Sequence, residues 1–158
     1  GDSGVTLLLQ AMRHPGVCRQ LYFLGLAKND LTDMGGRRVA TWLAVTASPL
    51  QHLELRDNAL GDGAAAAFGA VLIENRSLQH LSLLHNAVGR DGAQALARAL
   101  GHNRSLVTLD LRLNLIAPGE LHAMLGRVTE PASEASPVAR LFEEQRASAA
   151  AGGAAAEV

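Results

Sequence analysis

Residues 78–88 read LQHLSLLHNAV, and the spacing of the leucines in this stretch decides the fold. Leu81 and Leu83 alternate with other residues, so their side chains point to one side of a short β-strand while the neighbouring side chains point to the other. Asn86 follows three residues after Leu83, where the chain has to turn. This stretch therefore predicts a strand with one apolar side, ended by an asparagine turn.

The same pattern, Leu-x-x-Leu-x-Leu-x-x-Asn-x followed by an aliphatic residue, occurs four times. Its copies begin at Leu21, Leu50, Leu78 and Leu106. Their asparagines, which can bond the turning backbone and tolerate unusual dihedrals, are Asn29, Asn58, Asn86 and Asn114. These asparagines follow one another at steps of 29, 28 and 28 residues, which predicts a repeat protein.

Between the copies, the apolar spacing changes from two residues to three and four. Ala65, Phe68 and Leu72 show this helical spacing after Asn58, with a glycine-containing turn between strand and helix. Asp62 lies in that turn, where it can supply negative charge near the start of the helix. Each unit is therefore predicted to be a strand, a turn and a helix.

One such unit cannot cover its own apolar side, but stacked units bury a continuous leucine layer. Strands that follow one another through helices pair in parallel, and helices that are wider than strands make the stack curve. The predicted fold is an α/β solenoid, a right-handed horseshoe arc with a parallel sheet on the concave face and helices on the convex face.

The pattern resembles the ribonuclease-inhibitor subclass of leucine-rich repeats over residues 21–128, because it is joined to Gly-x-x-Gly-Ala-x-x-Leu-x-x-x-Leu at residues 89–100. The Asn-Arg-Ser-Leu joints at residues 75–78 and 103–106 are similar to the C-terminal repeats of nucleotide-binding, leucine-rich-repeat immune receptors. This resemblance implies recognition of a protein on the concave surface.

The ends of the chain depart from the repeat. Residues 1–20 are expected to be a truncated repeat or an N-terminal cap helix, and residues 21–128 to be four repeats. Residues 129–136 are expected to be a linker, residues 137–149 a C-terminal helix and candidate cap, and residues 150–158 a disordered tail. The first residue is Gly1, which indicates a processed product or a piece of a longer protein.

Composition narrows the kind of partner. The chain has 14 basic and 15 acidic residues among 158, without a block of like charge, so neither a nucleic-acid partner nor a membrane surface is expected. The single cysteine, Cys18, excludes an internal disulfide and favours a cytoplasmic protein. No nucleophile–base pair, phosphate loop or metal motif is recognisable, so we expect no enzyme, no cofactor and no small-molecule substrate.

The partner is instead expected to meet the strand side chains that point away from the leucines. These fall into four rows across the sheet, each taking one residue from every strand. The residues predicted to bind the partner are His52, Glu54, Arg56, Asp57, His80, Ser82, Leu84, His85, Thr108, Asp110 and Arg112. Arg56 and Arg112 are candidate anchors, because arginine forms bidentate contacts and is frequent at binding hot spots.

Other interpretations stay open at this point. The charged side chains can instead pair with one another, Glu54 with Arg56 or Asp110 with Arg112, in a merely solvated sheet. His52 and His80 near two carboxylates invite a zinc site, although without a tight motif they are typical of ordinary surface residues. The family resemblance also admits an enzyme regulator, either a ribonuclease inhibitor or an activator of a small GTPase. A segment that only extends a larger solenoid is a further alternative.

Overall fold

A computed structural model describes residues 1–13, 19–46 and 48–117 of the chain. Cys18, the expected linker, the C-terminal helix and the tail lie outside these residues. Helices and strands alternate along the described part. Its elements are α1 (Asp2–Ala11), β1 (Phe23–Gly25), α2 (Asp33–Val45), β2 (His52–Glu54), α3 (Asp62–Glu74), β3 (His80–Ser82), α4 (Arg90–Leu100) and β4 (Thr108–Asp110).

The four strands form one parallel sheet in the order β1-β2-β3-β4. Leu53 pairs with Leu81, and Leu81 pairs with Leu109, so leucines of equal position in the repeat lie side by side. This register is the one that the asparagine alignment predicts. The alternation of strand and helix makes every crossover a helix, as parallel pairing requires.

The core lies between the sheet and the helices. Leu53 and Leu81 of the two central strands are at most 2% exposed. Phe68 and Leu72 of α3 are fully buried and cover the strand leucines from the helix side. Burial of a large apolar side chain contributes about 1.5–3 kcal/mol, so the stacked repeats are stabilised collectively. Val5 of α1 belongs to the same core, next to the first repeat.

The repeat asparagine joins two neighbouring repeats. The side-chain amide of Asn86 donates to the carbonyl oxygens of Leu83 (3.1 Å) in its own repeat and Leu55 (3.0 Å) in the preceding one. Its Oδ1 accepts the backbone N–H of Leu60 at 3.0 Å. Asn58 and Asn114 bond the repeats before them in the same way.

The unusual dihedrals of the turn lie one residue before the asparagine, which corrects the expectation that the asparagine itself takes them. Four residues share this place in the repeat and have positive φ angles. They are Lys28 (57°), Asp57 (55°), His85 (52°) and Leu113 (56°). The asparagine amide bonds carbonyl oxygens of two adjacent repeats. To bring the amide there, the residue before the asparagine takes the left-handed conformation and turns the chain.

The aspartate of one helix start reaches the helix of the next repeat. Asp62 Oδ1 accepts the N–H groups of Gly89 (2.7 Å) and Gly92 (2.9 Å) at the start of α4. A Cβ on Gly92 would lie 2.6 Å from this oxygen, so the contact requires glycine. Negative charge thus lies near the helix end that carries partial positive charge. None of the described helices is long and apolar enough to cross a membrane.

Candidate functional site

The strand register gathers the predicted binding residues on the sheet side that faces away from the leucines, here called the concave face. Its first row is Phe23, His52, His80 and Thr108, and its second row is Gly25, Glu54, Ser82 and Asp110. Past the strand ends, backbone bonds continue the pairing from Asp57 N–H to the Leu84 oxygen (3.0 Å) and from His85 N–H to the Arg112 oxygen (2.9 Å). The last two rows therefore lie alongside the first two. The third row is Ala27, Arg56, Leu84 and Arg112, and the fourth row is Lys28, Asp57, His85 and Leu113.

The concave face encloses an open groove of about 430 Å³. Most of the predicted residues line it, namely His52, Glu54, Arg56, His80, Ser82, Leu84, Thr108, Asp110 and Arg112. Phe23 lines it as well and is 60% exposed. The alternation of the first strand assigns Phe23 to this face, yet the sequence prediction of binding residues did not include it.

Aromatic rings run across three strands in the first row. The imidazoles of His52 and His80 are stacked, with centroids 4.2 Å apart and planes inclined by 13°. Phe23 follows His52 at 6.3 Å. His80 Nδ1 lies 2.7 Å from the hydroxyl oxygen of Thr108, which fixes the orientation of its ring. The row thus offers a partly apolar surface, with the Phe23 ring inclined by 38° to that of His52.

The electrostatics of the row favour neutral imidazole. Partial burial lowers the pKa of His80 below its usual 6.5, and the neighbouring charge of His52 lowers it further. Two protonated rings at stacking distance would repel each other. We therefore expect His80 to be uncharged at neutral pH, when it presents hydrogen-bonding ring nitrogens rather than a charge.

The two candidate anchors differ in their bonding. Arg112 forms a bidentate ion pair with Asp110, with Nε–Oδ1 at 2.9 Å and Nη2–Oδ2 at 2.6 Å. The pairing interpretation is right for these two charges, although they lie two residues apart on one strand and not on neighbouring strands. No ion pair joins Arg56 to Glu54 within the described chain, where only the Arg56 backbone N–H donates to that carboxylate at 3.4 Å. Arg56 is exposed and therefore more available to a partner than Arg112.

Asp57 and His85 form a separate pair at the edge of the concave face. His85 Nδ1 lies 2.6 Å from Asp57 Oδ1. This hydrogen bond to His85 is the main reason that the pKa of Asp57 lies below its usual value. Neither residue lines the groove, so the structure separates them from the other predicted residues.

The arrangement of His52 and His80 differs from that of metal ligands. Their rings lie face to face, whereas ligands of one ion point their nitrogen atoms at a common centre. Within residues 1–13, 19–46 and 48–117, no group of three or more histidine, cysteine, aspartate or glutamate side chains is placed to hold a metal.

Comparison with known proteins agrees with this geometry. Residues 46–69, 74–97 and 102–118 match the family model described as Leucine Rich repeat. Among solved structures, the chain is similar to "Leiomodin-1 Actin-Binding Site 2 (ABS2)", with a TM-score of 0.63, 17% identity, and coverage of 99% of this chain and 97% of that one. No curated protein matches the sequence. The predicted α/β leucine-rich-repeat solenoid is thus confirmed, while the ribonuclease-inhibitor subclass and the likeness to immune receptors stay predictions.

Proposed function

Starting from these leucine-rich repeats, we propose that the chain is a protein-interaction module that binds a partner on its concave face and catalyses no reaction. The observation that carries this proposal is the groove on that face. It is lined by the aromatic row, by Leu84 and by Arg56, which forms no ion pair with Glu54 among the described residues. Such a mixture of aromatic, arginine and aliphatic side chains is typical of the centre of protein interfaces.

The proposal assigns unequal roles to the residues of the face. Phe23 and the stacked histidines supply rigid apolar area, which costs little conformational entropy on binding. Arg56 supplies a charge-assisted hydrogen bond to an acidic or carbonyl group of the partner. Asp110 holds Arg112 in place, so we assign Arg112 a smaller share of the binding energy.

Actin is one specific partner to test. The similar solved structure is named an actin-binding site, and at 17% identity this likeness concerns the fold alone. Recombinant chain can be incubated with monomeric actin and with actin filaments, and the bound fraction measured by sedimentation. Binding that disappears in a concave-face variant would identify actin as the partner of this face.

The general test compares two triple variants in a quantitative capture experiment. The concave variant carries Phe23→Ala, Arg56→Ala and Leu84→Ala, and the control variant carries Glu74→Ala, Arg76→Ala and Arg98→Ala away from the groove. We expect the concave variant to lose specific proteins that the control variant retains, and binding of each purified protein to weaken by tenfold or more.

Circular dichroism of both variants provides the folding control. Because the replaced concave side chains are not part of the buried core, both variants should keep native-like spectra and melting. If the two folded variants capture the same proteins with equal strength, the assignment of binding to the concave face is wrong.

A further inference from the structure

A second groove lies on the helical side of the solenoid, between α1 and α2. It has a volume of about 810 Å³ and is lined in part by Leu9 and Arg13 of the first segment and by Arg37, Arg38 and Trp42 of α2. It shares no residue with the concave groove. It is called the α1–α2 groove below.

The residues of α2 that line this groove differ from those at the same places in the next repeat. Arg37, Arg38 and Thr41 of α2 correspond to Ala66, Ala67 and Ala70 of α3, 29 residues later. The second and third repeats also approach closely, because a Cβ on Gly69 of α3 would lie 3.0 Å from the backbone oxygen of a residue in α4. Gly69 thus lets α3 and α4 come together, whereas long basic side chains line the space between α1 and α2.

The charges in the α1–α2 groove are predominantly positive. Arg13, Arg37 and Arg38 line it together with one acidic residue, Asp33. Arg37 Nε also donates to the Gly63 oxygen at 3.4 Å, and the Asp2 carboxylate lies near Arg38. The Asp33 carboxylate is already engaged, because it accepts three backbone N–H groups at the start of α3, at 2.6–3.1 Å. Arg38 donates to the hydroxyl of Thr6, which holds its guanidinium at the groove wall. The lining therefore complements an anionic occupant.

The floor of the groove is apolar. Leu9 is 5% exposed and Trp42 is 2% exposed. The indole Nε1 of Trp42 is buried without a hydrogen-bond partner among the described residues. Met34 adds an exposed apolar side chain at the rim.

We propose that the α1–α2 groove binds an acidic peptide segment of a protein partner, with apolar side chains between its carboxylates. Arginines in the walls pair with the carboxylates, while the apolar side chains cover the floor. A small inorganic anion would leave the apolar floor uncovered. A flat membrane surface would not reach Trp42, which lies at the floor.

Trp42 makes this proposal directly measurable, because it is the only tryptophan of the chain. The probe is a synthetic peptide made of repeated Glu-Leu-Glu-Glu units, titrated into the full chain while the emission of Trp42 is recorded. The matched peptide has glutamine in place of every glutamate. We expect the acidic peptide to bind and change the emission, and the glutamine peptide to bind at least tenfold more weakly.

Single arginine variants test whether the peptide binds in the α1–α2 groove. Arg13→Gln and Arg37→Gln should each weaken binding of the acidic peptide by about tenfold. Arg98→Gln on the outer side of α4 is the matched control and should leave the affinity unchanged. Arg56→Ala on the concave face should also leave it unchanged, so this test and that of the concave face can fail separately.

Several results would overturn the proposal. It is wrong if the acidic peptide fails to bind at about 1 mM, if both peptides bind equally, or if binding leaves Trp42 emission unaltered. It is also wrong if the Arg13 and Arg37 variants bind as tightly as the Arg98 variant. Inorganic phosphate and phosphatidylserine vesicles serve as further probes, and a response to either of them but not to the peptide would assign the groove to a different ligand.

Discussion

At the scale of single residues, the buried asparagine of the turn carries more hydrogen bonds than its exposed counterpart in the first repeat. Asn86 is 8% exposed and bonds backbone groups of two repeats through both ends of its amide. Asn29 is exposed, and its amide donates to the oxygen of Ala27 at 2.9 Å. The same residue at the same place in the repeat therefore has different energetic weight.

We predict that Asn86→Ala lowers the free energy of unfolding by about 2–4 kcal/mol, because the Leu60 N–H and the Leu55 carbonyl lose a bonding partner in a buried place. Asn29→Ala is the matched control and should cost about 1 kcal/mol or less, since water can replace its amide. Urea unfolding followed by circular dichroism measures both. Equal losses in the two variants would contradict the importance of the bond between repeats.

The lowered pKa of His80 predicts the direction of a pH effect. Because the folded-state pKa lies below the usual 6.5, stability from neutral His80 is fully present above pH 6.5 and is lost as the pH falls through the folded-state pKa. The urea midpoint should therefore fall between pH 7.5 and pH 5 by less in His80→Gln than in the original chain. An unaltered pH dependence in His80→Gln would refute the assignment.

Some residue-level features were not accessible from the sequence. The four asparagines are visible as a pattern, but the positive φ angles fall on Lys28, Asp57, His85 and Leu113, which have no residue type in common. The turn imposes this conformation on whichever residue precedes the asparagine, because the hydrogen bonds of the asparagine fix the position of the chain after it. Likewise, the ion pair of Arg112 with Asp110 depends on rotamers, and the sequence allowed a different pairing equally well.

At the scale of secondary-structure elements, glycine controls how closely helices pack. Gly69 of α3 is buried and faces the backbone of α4, whereas Gly4 of α1 has no atom within 4 Å of an added Cβ. Both lie inside helices, where alanine is favoured over glycine by about 1 kcal/mol. Packing therefore decides the sign of a substitution to alanine at each place.

We predict that Gly69→Ala destabilises the chain by about 1–3 kcal/mol, because its methyl group forces α3 and α4 apart. Gly4→Ala should stabilise it by about 0.5–1 kcal/mol, through helix propensity alone. Thermal unfolding of the two variants provides the comparison. A stabilised Gly69→Ala would show that the contact between α3 and α4 relaxes at no cost.

Strand order and register could be predicted from the sequence because they follow from local repetition. Leu53 and Leu81 have the same neighbours in the pattern, so aligning them also aligns the strands. The contact of Asp62 with the next helix was not predicted beyond a charge near a helix start, because it depends on the distance between two repeats. Periodicity predicts on which face of a strand or helix a residue lies, but it does not predict the distance between two helices.

At the scale of the whole molecule, the two grooves differ in how far the sequence predicts them, because periodicity predicts faces but not distances between helices. The rows of the concave face could be predicted, since strand alternation and register alone assign His52, Glu54 and Arg56 to one surface. The α1–α2 groove had no such signal. The spacing of Trp42 predicts a packing residue, and it is buried, but the lack of a hydrogen-bond partner for its indole nitrogen among the described residues is visible only in three dimensions.

Because the repeats stack in a line, the part of the chain that a destabilising core substitution unfolds depends on its position in the solenoid. Each repeat packs only against its neighbours, so stability is a sum of repeat and interface contributions. Val5 of α1 is 4% exposed at one end, and Leu81 is 1% exposed in a central strand that pairs on both sides. Burying a charge at either place is strongly unfavourable. A charged substitution at the end can be accommodated by local unfolding, whereas one in the middle disrupts the packing of repeats on both sides.

We therefore predict that Val5→Asp removes hydrogen-exchange protection from α1 and adjoining parts of the first repeat, while β3 and α4 keep theirs. Leu81→Asp should instead remove protection throughout the sheet, because β2 and β4 both lose their central partner. Leu7→Asp is the control, since Leu7 is 68% exposed on α1 and should alter protection little. Hydrogen exchange read by mass spectrometry resolves these regions. If Val5→Asp unfolds the whole chain as Leu81→Asp does, the repeats form one cooperative unit and the nearest-neighbour description is wrong.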